Sequence, residues 1–99
     1  MRIGINFEED IMDGLTVVST VSIITAGLTI ALGGYAPSRG EGNALVKAIE
    51  SVARQPEAAN QIMRLFFVGA AVVESVAIYS LVIALVILFA NPFVSLFAK

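Results

Sequence analysis

The chain has 99 residues, 58% of them hydrophobic, a formal charge of −2 and neither cysteine nor histidine. Its mean hydropathy of +0.89 lies far above that of a soluble domain. These figures exclude disulfide frameworks, Cys/His metal sites and thiol or imidazole catalysis, and too few bases remain for a nucleic-acid surface.

Residues 1–14 (MRIGINFEEDIMDG) form an acidic leader. A signal peptide would open with basic residues, so no cleaved signal is read here. Glu8, Glu9, Asp10 and Asp13 are expected in water beyond the membrane. The first spanning stretch is Leu15–Ala36 (LTVVSTVSIITAGLTIALGGYA), interrupted only by small and hydroxyl residues. Pro37 can bend a helix, but in a membrane neighbouring groups can satisfy the freed carbonyl. Asn43–Ala53 keeps helical character, so residues 15–53 are predicted as one long helix, bent near Pro37.

Arg54, Gln55 and Pro56 make the predicted loop, residues 54–56. Proline drives the residue before it out of the helical region and suits the first position of a following helix. The second helix is predicted over residues 57–90, with Glu57 complementing the dipole at its start. Asn91-Pro92-Phe93 breaks it, and an apolar tail over residues 91–99 ends in Lys99. The fold class is therefore all-α: a single transmembrane hairpin of two long antiparallel helices. Lys47, Arg54 and Arg64 gather near the turn, which places the loop in the cytoplasm and both termini outside.

The run Leu65–Ala90 contains one ionisable carboxyl, Glu74. A charged acid at the bilayer centre costs about 2.5–3.5 kcal/mol on insertion scales, so such a residue is a functional candidate. Glu41 and Glu74 stand equally far from the turn, and an antiparallel hairpin puts such residues at the same depth. At about 1.5 Å per residue, that depth is about 20–25 Å from the loop tip. Small residues surround Glu41 at every second position: Gly34, Ala36, Ser38, Gly40, Gly42 and Ala44. They fall into two stripes on nearly opposite sides of one helix. Each stripe permits a close helix contact, and two opposed stripes suit a helix in a closed ring of copies.

Glu41 shares its flank with Pro37, Leu45 and Ala48, while Arg39 lies about 160° away. The acid can face helix two, with Arg39 turned toward the inside of a ring, held by lipid headgroups or by Glu50. Ser75, Tyr79 and the Val72 carbonyl fall on a flank about 100–160° from Glu74. They cannot all reach their own Glu74 but could reach that of a neighbouring copy, which implies a site shared between subunits.

From Gly27 onward the chain resembles the c subunit of the F-type ATP synthase rotor. The matching segments are GGYAPSRGEGNA, the loop ESVARQPEA, the acid segment VVESVAIYSLVIALVIL and ANPF. The resemblance implies a hairpin that assembles with identical copies into a membrane ring, with helix one inside. It implies that Glu74 carries one ion per hairpin, that Arg54, Gln55 and Pro56 contact the central stalk, and that the ring turns against the a subunit. It further implies a bacterial inner membrane as the location, with lipids around the ring. No cofactor is implied beyond the transported ion, and no catalysis by the hairpin itself.

Sodium-binding members of that family place ligands where this chain has Glu41, Val72, Ser75 and Tyr79, together with Glu74. Val76 departs from the pattern, since a threonine often holds a water there. The acidic leader and Arg39 are also unusual, and are similar to the N-type subgroup of these rotary ATPases. The oxygens available favour sodium, but two acids close together in low dielectric resist being ionised together. The balance leans to protons, with sodium as the alternative. A small non-rotary adaptor hairpin is the more distant reading, and an adaptor has no need of paired acids and two small-residue stripes.

Overall fold

The computed structural model describes residues 6–97 and is all-helical over that range. Helix α1 runs Phe7–Arg54, a 3₁₀ turn covers Pro56–Ala58, α2 runs Ala59–Phe89 and a short α3 runs Pro92–Phe97. Residues 1–5 of the acidic leader and residues 98–99 of the tail lie outside the described residues.

The start of α1 differs from the sequence expectation. Residues 7–14 are not a separate leader but the first turns of α1. Asn6 caps the helix by accepting a hydrogen bond from the Glu9 amide at 3.4 Å. The Asn6 side-chain Nδ2 donates in turn to Glu9 Oε2 at 3.4 Å, so the two side chains hold each other at the helix start. Glu8, Glu9 and Asp10 fill the first turn, where negative charge complements the helix dipole. The acids that read as solvated leader are the electrostatic start of the helix.

Helix α1 then continues through Pro37, which is buried. Gln55 breaks it with φ −133° and ψ 72°, outside the helical region that a following proline disfavours. Pro56 opens the 3₁₀ turn, so α2 proper starts two residues later than the predicted Glu57. At the other end the tail is not irregular. Asn91 Oδ1 accepts from the Phe93 amide at 2.9 Å and Pro92 takes the first helical position, so an asparagine cap and a proline start α3.

Both helices are long and apolar enough to cross a membrane. Only 6% of each apolar stretch is buried, which is unlike the core helix of a soluble protein. Ala26, Ala48 and Ala84 make up the buried hydrophobic core among the described residues. The Cα extents are 84 × 21 × 9 Å and the radius of gyration is 22.8 Å, against about 13 Å for a compact chain of this length. Phe67, Val68, Val72 and Phe89 are among the large side chains left exposed. A surface this apolar needs lipid or other copies to cover it.

Two contacts set the register. Asn91 Nδ2 donates to Ser22 Oγ at 2.6 Å, and Gly33 sits so close to Ser80 that an added Cβ would overlap that side chain. Both pairs belong to one antiparallel alignment, in which α2 gives up one residue for each that α1 gains. Glycine at position 33 is what permits the close approach.

Candidate ion-binding site

Helix α1 presents one continuous edge to α2, including Ser22, Ala26, Gly33, Pro37, Glu41 and Ala48, a helical spacing of four and seven. Glu41 is half-buried on this edge between the buried Pro37 and Ala48. The structure thus turns the Glu41 carboxyl toward helix two. It opens into a groove of about 440 Å³ between the helices, with Gly40, Ala44, Phe66, Gly69 and Ala70 in its lining. Among the described residues, Glu41 Oε1 is buried with no hydrogen-bond partner. Such an oxygen lacks compensation for its lost hydration.

The register carries Val72 to the level of Glu41, so Glu74 is two residues further on, about 3 Å along the axis. The two acids are close in depth but not in contact. Ala70 and Ala77 on α2 are less exposed, while Glu74 is exposed on the adjoining flank. Val72 and Tyr79 are 68% and 66% exposed, and the Ser75 hydroxyl donates to its own helix at Ala71 O, 3.0 Å away. No hydrogen bond among the described residues joins Glu74 to Glu41, Ser75 or Tyr79. A single hairpin therefore presents the elements of a site without assembling them.

Of the small residues near Glu41, Gly34, Gly40 and Gly42 have open space where a Cβ would go. Ser38 donates to Gly34 O at 2.7 Å. Gly40 and Ala44 line the groove beside α2, so their stripe widens that groove as well as leaving a flank free. Arg39 is exposed, with its guanidinium 5.9 Å from the centre of the Tyr35 ring. Glu50 is not its partner: that carboxylate holds Lys47 at 3.3 Å and Arg54 at 3.7 Å. Lys47 and Arg54 are each about one turn from Glu50, on its terminal and loop sides respectively, whereas Arg39 is three turns away. Arg54, Gln55 and Pro56 are all exposed at the tip.

Reading the sequence missed the Asn91–Ser22 bond. Asn-Pro after an apolar run reads first as a helix stop, but it is equally a cap followed by a first-turn proline. That signal finds α3; it does not find the partner on α1.

A membrane acid close in depth to a second acid across a tight antiparallel hairpin meets an independent observation in comparison with known proteins. Residues 24–87 match the family model for the C subunit of ATP synthase. The chain belongs to the ATP synthase c-subunit family. It is 51% identical to ATP synthase c subunit 2 of Cereibacter sphaeroides over 76 residues, 77% of this chain and 92% of the relative. With the ATP synthase c subunit of Dictyoglomus thermophilum it shares 52% over 75 residues, 76% and 89% of the two chains. With that of Prochlorococcus marinus it shares 49% over 82 residues, 83% and 99%. As a member of this family it is a rotor-ring component of ATP synthase, a membrane protein with no catalytic chemistry of its own.

Proposed function

We propose that copies of this hairpin stand side by side in a closed ring, α1 inside and α2 outside, and carry protons on Glu74 as the ring turns. The observation that carries this reading is the exposure of Glu74 on the flank of α2, in a run that contains no other ionisable carboxyl between Leu65 and Ala90. A neighbouring copy can close over that flank with its Ser75, Tyr79 and Val72 carbonyl. A protonated Glu74 is neutral and can travel through lipid, while the ionised form cannot do so cheaply. Release and reloading therefore have to occur against a polar partner, here the a subunit.

The exposed tip at Arg54, Gln55 and Pro56 meets the central stalk, and the basic residues near it support a cytoplasmic loop, the membrane being in this reading a bacterial inner membrane. Sodium is the second reading. It is favoured by the buried Glu41 Oε1, an oxygen with no partner among the described residues, since hard cations take oxygen ligands.

The test is Glu74→Gln, which keeps the shape but cannot cycle a proton. Ring assembly should persist, ion transport should stop, and a carbodiimide should modify Glu74 in the unaltered protein. Normal ion flux through the Glu74→Gln complex would sink the assignment.

A further inference from the structure

The face of α1 turned away from α2 changes character at Tyr35 and Arg39. Toward the termini it is apolar and exposed, with Val21, Leu28 and Leu32 at 56%, 55% and 72%. Toward the loop it carries Arg39 and then Asn43, both exposed. Helix α2 reads differently. Its apolar surface continues toward the loop as far as Leu65, which is 75% exposed, and its first loop-side charge in the span is Arg64. The register puts Arg64 about ten residues nearer the loop than Arg39, on the order of 15 Å. The charge-free part of α1, Gly14–Ser38, is about 25 residues and long enough to cross a bilayer by itself. At the loop end the charge-free stretch of α1 thus stops about ten residues short of the apolar surface of α2, while their terminal ends are level.

Arg39 stands at the step between them. A cation at that depth needs an anion, and its contact in the hairpin is the Tyr35 ring, which carries no charge. Glu50 is held by Lys47 and Arg54, and Glu41 faces the other way. A neighbouring copy in a symmetric ring presents another Arg39 at the same height. Its nearest carboxylate on that face, Glu50, is about 16 Å along the axis.

We propose that Tyr35 and Arg39 bind the phosphate of an anionic phospholipid inside the ring, fixing the loop-side edge of the enclosed lipid about 15 Å nearer the termini than the edge outside. The guanidinium fork matches a phosphate oxygen pair, and tyrosine is the side chain expected at a headgroup boundary. With its charge met by lipid, Arg39 does not act as a bare cation at the level of Glu74. The inference rests on the ring with α1 inside.

Intact rings of the unaltered protein and of Arg39→Gln are purified, weighed by mass spectrometry and extracted for phospholipid. Equal ring masses are expected, with retained phosphatidylglycerol falling about fivefold in Arg39→Gln, as the loss of one basic contact per headgroup implies, and phosphatidylethanolamine unchanged. Equal phosphatidylglycerol in the two rings, or lipid retained without preference for the anionic class, overturns the proposal. Absence of any ring in the unaltered protein would instead remove the assembly on which it rests.

A second measurement keeps Arg39 in place, so it decides even where Arg39→Gln does not assemble. The chain has no cysteine, so Asn43→Cys and Leu32→Cys each give a single thiol in rings embedded in phosphatidylglycerol vesicles. A membrane-impermeant thiol reagent on the loop side should label position 43 and spare position 32. Labelling of both, or of neither, overturns the proposal.

Discussion

Asn91 ties the two ends of the hairpin together: its side chain donates to Ser22 Oγ at 2.6 Å and at the same time caps α3 by accepting from the Phe93 amide at 2.9 Å. One residue thus sets the register of α2 on α1 and starts the helix that follows. Gly14, against which the Phe97 ring packs, lies on the same end of α1. Asn91→Ala should therefore cost about 1–2 kcal/mol, combining a lost cap with a lost interhelical hydrogen bond. Ser22→Ala should cost less, about 0.6 kcal/mol, since the cap survives. Denaturant titration of the detergent-solubilised protein measures both, and equal losses would contradict the double role of Asn91.

Gly33 and Gly42 make opposite predictions although both are helical glycines. A Cβ at Gly33 overlaps Ser80 within the hairpin, whereas Gly42 has open space. Gly33→Ala should destabilise the hairpin by about 1–3 kcal/mol, the range for overpacking, and Ser80→Gly should restore much of it. Gly42→Leu should leave the hairpin intact and abolish or resize the ring, because the open side is where a neighbour packs. Gly40→Leu should act similarly on the ring. Native mass measurement reads ring size, and unaltered rings from both leucine variants would contradict the packing argument.

Ion identity is read from labelling of Glu74. With protons as cargo, carbodiimide modification at fixed pH should be the same in sodium and in potassium. It should fall as pH rises, because the reagent attacks the protonated carboxyl. Strong protection by millimolar sodium and not by potassium would establish the sodium reading. In that case Glu41→Ala, which removes the groove oxygen, should abolish the protection.

The pairs at Glu50 should matter little for stability. Lys47 and Arg54 have side chains 79% and 77% exposed and Glu50 43%, and exposed pairs of this kind contribute about 0–1 kcal/mol. Glu50→Gln should shift unfolding by less than about 0.5 kcal/mol. A larger loss would mean that the carboxylate is buried by the assembled complex.

The hairpin itself was legible in the sequence, because it depends on local properties. Two apolar runs of spanning length, a proline after Gln55 and a lone acid in the second run define two helices, a turn and a candidate residue, whatever the helices touch. The face of α1 that carries Glu41 was legible too, since 100° per residue places Pro37, Glu41 and Ala48 together. The start of α1 at Phe7 was also local, but charge was read as solvation when Asn6 and Glu9 made it a cap. The tertiary structure decided what depends on distant residues. Asn91 and Ser22 are 69 positions apart, and no periodicity within either helix says which residue meets which. From that register come the approach of Gly33 to Ser80, the Glu41 oxygen that has no partner among the described residues, and the height of Arg39 against α2. The physical reason is that helix formation is fixed by hydropathy and backbone chemistry along the chain, whereas register is fixed by a few side-chain contacts across it.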